Sequence, residues 1–126
     1  MDRIFVATEP FDRKWKDAGL DDDNLHELQM ALLMDPKIGV VIRGATPLRK
    51  FRWARPGMGK SGGIRVFYAD FPTLNHVMLM NILQKNQSDN FSEAERKAIS
   101  NKIAAIETDL RTRLENERKA YARKHK

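Results

Sequence analysis

Apolar and polar positions follow two rhythms along this chain, and the change from one to the other marks out its elements. Arg3–Ala7 (RIFVA) is a short β-rich run and predicts a first strand. Glu9–Ala18 follows with Phe11 and Trp15 four apart, the spacing of one helical face. Gly19 ends that helix. Asp21-Asp22-Asp23 opens a second one, with its acids at the positive end of the helix dipole. Leu25, Leu28, Leu32 and Leu33 form its buried stripe, and Asp35-Pro36 stops it. Two amphipathic helices joined by a tight turn predict an αα-hairpin.

Gly39–Pro47 reads as a loop, and beyond it the period falls to two. In Leu48–Ala54 (LRKFRWA), Leu48, Lys50 and Arg52 point one way while Arg49, Phe51 and Trp53 point the other. Phe51 and Trp53 belong in a core, which puts Lys50 and Arg52 on the open face. Arg55–Gly63 (RPGMGKSGG) is a long hairpin connection rich in glycine. Ile64–Phe71 is a third strand, with Ile64, Val66 and Tyr68 on one face and Arg65, Phe67 and Ala69 on the other. Asn75–Gln84 is a fourth, with Met78, Met80 and Ile82 on one face and Asn81 and Lys85 of opposite parity. Ser92-Glu93-Ala94-Glu95 is a capping box. It opens a long helix striped by Ile99, Ile103, Ile106, Leu110 and Leu114. The pattern predicts an α/β (α+β) fold: a small antiparallel sheet with helices on one face and a concave basic surface on the other. Residues 1–110 form the expected domain and 111–126 a basic helical tail.

Composition narrows the function. The chain has 126 residues and no cysteine, which excludes a disulfide scaffold, a Cys-based metal site and a Cys nucleophile. No run is long enough to span a bilayer and the N-terminus does not read as a signal peptide, so a soluble cytoplasmic protein without membrane partners is expected. The net charge of +6 is unevenly spread. Residues 1–35 hold four basic and nine acidic side chains, whereas residues 36–69 hold eight basic ones and no acid. Such a block attracts phosphates and steers polyanions, unless it is only a solvated face balanced by the acidic N-terminal third.

Ala54-x4-Gly59-Lys60-Ser61 fits a relaxed phosphate-loop pattern, but a strand follows where the motif needs a helix. A glycine-rich hairpin that brings Lys60 close to a nucleic-acid backbone accounts for it better. His26, His76 and His125 have no ligand spacing, and the basic block contains no carboxylate pair; no metal or cofactor is expected. Lys50, Arg52, Arg65 and Lys85 remain, as a cluster projecting from one side of the sheet. Such a cluster can stabilise a phosphodiester transition state. A lysine among other cations has its charged form disfavoured and can serve as a base. Composition and spacing do not separate cleavage from phosphate binding without cleavage.

Leu48–Phe71 (LRKFRWARPGMGKSGGIRVFYADF) resembles the RelE/HigB family of ribosome-dependent mRNA endonuclease toxins of type II toxin–antitoxin modules. The pieces that carry the resemblance are LRK-x-R (Leu48–Arg52), the GKSGG turn (Gly59–Gly63) and RVFY (Arg65–Tyr68). The segment Leu33–Lys50 and the Lys85-Asn86 pair are similar as well, and the likeness extends over about residues 3–95. It implies a microbial-RNase-like fold, metal-independent cleavage of mRNA on the ribosome, and a cognate antitoxin, often with a helix-turn-helix DNA-binding part. By this resemblance Lys50 is the candidate base, Arg52 its partner, and Arg65 the group that stabilises the transition state, with Lys85 completing the set. Expected RNA contacts are Arg49, Arg55, Lys60, Phe67 and Tyr68, although Tyr68 has core parity; Phe67 or Phe91 is the candidate stacking surface. Leu83 and Asn86 stand where relatives often carry tyrosine and arginine. A non-catalytic nucleic-acid-binding or regulatory module of the same fold is the alternative.

Overall fold

The computed structural model describes residues 3–54, 63–84 and 90–125. The chain runs β1 (Ile4–Ala7), α1 (Glu9–Asp17), α2 (Asp22–Met34), β2 (Val40–Val41), β3 (Leu48–Trp53), β4 (Ile64–Phe71), a short 3₁₀ turn (Pro72–Leu74), β5 (His76–Gln84) and α3 (Glu93–Lys124). The described strands form one sheet in the order β1-β5-β4-β3-β2. The predicted meander of β3, β4 and β5 is antiparallel throughout.

The helix boundaries follow the local chemistry. Thr8 caps α1, its hydroxyl accepting from Phe11 N. Gly19, at φ +76°, takes the left-handed conformation that lets the chain leave α1. Asp21 and Asn24 form a reciprocal box at the start of α2, so the acidic triplet is a helix cap. Ser92 and Glu95 do the same for α3.

Four features depart from the pattern read in the sequence. Val40–Val41, inside the expected loop, pairs with Lys50 and Arg49 as a short edge strand. β1 joins the sheet in parallel, beside β5, so the sheet is mixed. Helices also cover both faces. Phe11, Trp15, Leu28 and Leu32 of α1 and α2 pack with Val66, Tyr68, Val77 and Leu79 on one side. Ile103 and Leu110 of α3 pack with Leu48, Phe67, Ala69 and Met78 on the other. The physical reason is that β4 and β5 sit centrally and carry apolar residues at both parities, so each face needs a cover.

The fourth departure is a register shift between Phe67 and Tyr68: Phe67 faces Asn81, but Tyr68 faces Leu79. Met80 is therefore the extra residue of a β-bulge, and parity reverses beyond it. Ile82 joins Val77 and Leu79 rather than Met78 and Met80, while Leu83 joins the α3 side. Thr8 secures this bulge. Its hydroxyl donates to the Met80 carbonyl at 2.7 Å, and its N–H donates to the Leu79 carbonyl at 3.0 Å. One side chain thus caps α1 and satisfies the irregular strand.

A candidate basic groove on the sheet

Antiparallel neighbours directly across from each other present their side chains on the same face. Arg52 faces Arg65 and Lys50 faces Phe67, so the three cations share one side, with Leu48 and Ala69 further along it. At this end of the sheet Lys50, Arg52 and Arg65 line an open groove of about 420 Å³, together with Ile38, Val40 and Phe51. Arg65 is held at the rim: its Nη2 donates to the Gln84 carbonyl at 2.8 Å. Two arginines directly opposite each other repel. Residues 36–69 contain no acid. An anion in the groove would relieve that repulsion.

Ile38 and Val40 form an apolar wall that strand parity does not foretell. They reach the groove because the 36–39 segment is tied to the sheet. Tyr68 Oη donates to the Pro36 carbonyl at 2.7 Å and accepts from Gly39 N at 2.9 Å. Arg49 Nη1 donates to the Gly39 carbonyl, also at 2.7 Å. Gly39 is required by the close approach: a Cβ there would lie 2.9 Å from the Tyr68 ring and 3.0 Å from the Lys50 carbonyl oxygen. A glycine after a proline-terminated helix was the available signal, but it does not reveal which ring comes so near.

Three of the residues expected to touch RNA have partners within the fold. Tyr68 is fully buried and meets Phe51 edge-on. Phe67 is 2% exposed and is covered by Phe91 at a ring separation of 5.7 Å, so it presents no open ring face. Arg49 points to the opposite side from Lys50 and organises the Gly39 carbonyl. The burial of Tyr68 and Phe67 has one cause: α3 and the 36–39 segment cover both faces of β4, where a bare sheet would leave one ring open. Arg55, Lys60 and Lys85 lie outside the described residues, as does the glycine-rich phosphate-loop-like stretch. The first element after that stretch is the strand β4. The histidines stay apart: His26 is on α2, His76 begins β5 with Nδ1 2.6 Å from the Leu74 carbonyl, and His125 stacks on Tyr121.

Tyr68→Phe is expected to cost about 1–3 kcal/mol, because it leaves the Gly39 N–H and the Pro36 carbonyl unpaired. Burial pushes the Tyr68 phenol above its ordinary value of 10.0, partly opposed by the Gly39 hydrogen bond and the Arg49 charge. The folded state therefore favours the neutral phenol. This contribution is complete below about pH 10 and is lost as pH rises through the raised folded value. Urea denaturation on either side of pH 10 should show wild type losing more stability than Tyr68→Phe. Equal losses would acquit the phenol.

No protein-family model matches the chain. Among solved structures, that of a mutant of the E. coli toxin RelE in the free state is similar. The match has a TM-score of 0.50 at 18% identity and covers 71% of this chain and 90% of that one. The fold is thus a mixed α/β fold of the RelE type. Among the described residues, no helix is long and apolar enough to cross a membrane.

Proposed function

We propose that this protein is the toxin of a type II toxin–antitoxin pair, a cytoplasmic, metal-independent endonuclease that cuts mRNA on the ribosome. The observation that carries the reading is the groove of Lys50, Arg52 and Arg65 on a RelE-type fold. Lys50 is the base that takes the 2′-hydroxyl proton, with Arg52 beside it. Arg65 stabilises the charge that builds on the phosphate. Lys85, Arg55 and Lys60 belong to the same reading by their sequence positions. Residues 1–110 carry the activity and 111–126 form an accessory basic tail.

Among the described residues the groove supplies charge but no histidine–carboxylate pair for acid–base work. Alignment of the message must then contribute much of the catalysis; effective molarity supplies roughly 7–11 kcal/mol in well-oriented reactions. Induced expression followed by primer extension of cellular transcripts tests this. New 5′ ends within translated messages, with little cleavage of naked RNA, are expected. Equal cleavage of free and ribosome-bound RNA would refute ribosome dependence. Leu83, which faces Arg65 in the register and offers no proton, favours the non-catalytic alternative; growth inhibition without new 5′ ends would establish it.

The antitoxin of this reading brings acidic side chains over the groove or across its rim. Its association should slow as salt rises from 0.1 to 1 M, over which the Debye length falls from about 10 to about 3 Å. A salt-independent on-rate in stopped-flow mixing would remove electrostatic masking.

A further inference from the structure

A second basic cleft lies where the β2–β3 turn meets α3. It has a volume of about 450 Å³ and is lined by Arg43, Gly44, Glu93, Arg96, Lys97, Ser100 and Asn101. The turn that supplies Arg43 is closed by Ala45 N donating to the Ile42 carbonyl at 3.0 Å. Gly44 stands at its third position with φ +83°, a conformation that suits glycine. A Cβ on Gly44 would lie 3.3 Å from Arg96 Cδ, so the turn rests directly on that arginine. This contact encloses Arg96 Nε, which has no hydrogen-bond partner. A guanidinium with one N–H enclosed and unpaired is incompletely solvated, and its outer edge is suited to an oxyanion that accepts two parallel hydrogen bonds. Three cations outnumber the single acid, Glu93. Among the described residues no ion pair within 4.0 Å joins Glu93 to any of them. Ser100 and Asn101 add neutral donors.

We propose that this cleft, built from Arg43, Arg96 and Lys97, binds a backbone phosphate of the RNA strand whose cleavage is assigned above to Lys50, Arg52 and Arg65. The proposal rests on that reading, and two observations favour RNA over a free phosphate. α3, which supplies Arg96 and Lys97, packs on the sheet face that carries Lys50, Arg52 and Arg65. Arg43 also belongs to the acid-free stretch 36–69 that supplies Lys50, Arg52 and Arg65. A strand held at both points is fixed in register, which phosphate contacts do without reading bases.

The test uses Arg43→Gln, Arg96→Gln and Lys97→Gln in the full chain. Lys97 is exposed and serves as the variant least able to disturb folding. Binding of an uncleavable 2′-O-methyl RNA oligonucleotide is followed by fluorescence anisotropy across salt concentrations. Each variant should bind severalfold more weakly, with the slope of log K against log salt shallower by about 0.7 for each phosphate that is no longer neutralised. Unchanged affinity and slope in all three variants would overturn the proposal, even if the wild type cuts mRNA. Reduced slopes in a protein that never cuts RNA would uphold the subsite and reject the nuclease reading. In a parallel arm, inorganic phosphate is titrated against thermal stability. Phosphate stabilisation that disappears in the variants, with RNA binding intact, would assign the cleft to free phosphate and overturn the RNA proposal. Absence of salt-dependent RNA binding by the wild type would overturn it too.

Discussion

On the proposed nuclease function, replacing Arg65 with alanine is expected to slow cleavage of translated mRNA by about 10²–10³-fold, the usual effect of removing one preorganised donor from a developing oxyanion. The fold should survive. Arg65 is only partly buried, and its hydrogen bond to the Gln84 carbonyl is at an exposed position. Its neighbour across the strand is Arg52, so the substitution also removes a repulsion between like charges. Stability should therefore change by no more than about 0.5–1 kcal/mol. Arg65→Lys keeps the charge but loses the planar fork, and should recover part of the rate. Circular dichroism, denaturation and primer extension on ribosome-bound message decide the matter. A folded Arg65→Ala protein that cuts at the wild-type rate would remove Arg65 from the chemistry.

Phe11→Ala should have the largest effect on stability, about 3–5 kcal/mol. Phe11 is fully buried and stacks on Trp15 at 5.5 Å, and Trp15 stacks on Trp53 at 5.5 Å. This ladder joins α1 to the end of β3, just beyond Arg52. Trp15 Nε1 donates to the Asp21 carbonyl and so ties the α1–α2 turn to the same cluster. A cavity at Phe11 would loosen all three elements, and a domain of this size has only about 5–15 kcal/mol to lose. Both tryptophans of the chain lie in the ladder, so intrinsic fluorescence during urea denaturation reports the change directly. Met34→Ala, at a site 84% exposed, should stay within about 0.5 kcal/mol. A Phe11→Ala midpoint close to that control would mean that α1 contributes little to the core.

The linear pattern alone determined the helices, the Ser92–Glu95 cap of α3, and the alternation that sets Lys50, Arg52 and Arg65 on one face. These are local properties: a cap needs residues three apart, and strand parity needs only neighbours in an unbroken extended segment. Tertiary structure decided what parity and spacing do not encode. The bulge at Met80 turns Ile82 to the opposite core, because one extra residue reverses every later side chain and nothing in VMLMNIL marks it; its partner, Thr8, is 72 residues away. α3 closed the face expected to stay open, since the apolar stripe of a helix does not name the surface it will cover. That closure buried Phe67 beneath Phe91 and left the groove cations at one end of the sheet. Val40–Val41 became a strand only because β3 offered an edge to pair with, and Tyr68 became an anchor because Pro36 and Gly39 reached its hydroxyl. Each of these outcomes depends on a long-range contact, whose free energy comes from burial and hydrogen bonding between segments far apart in the chain.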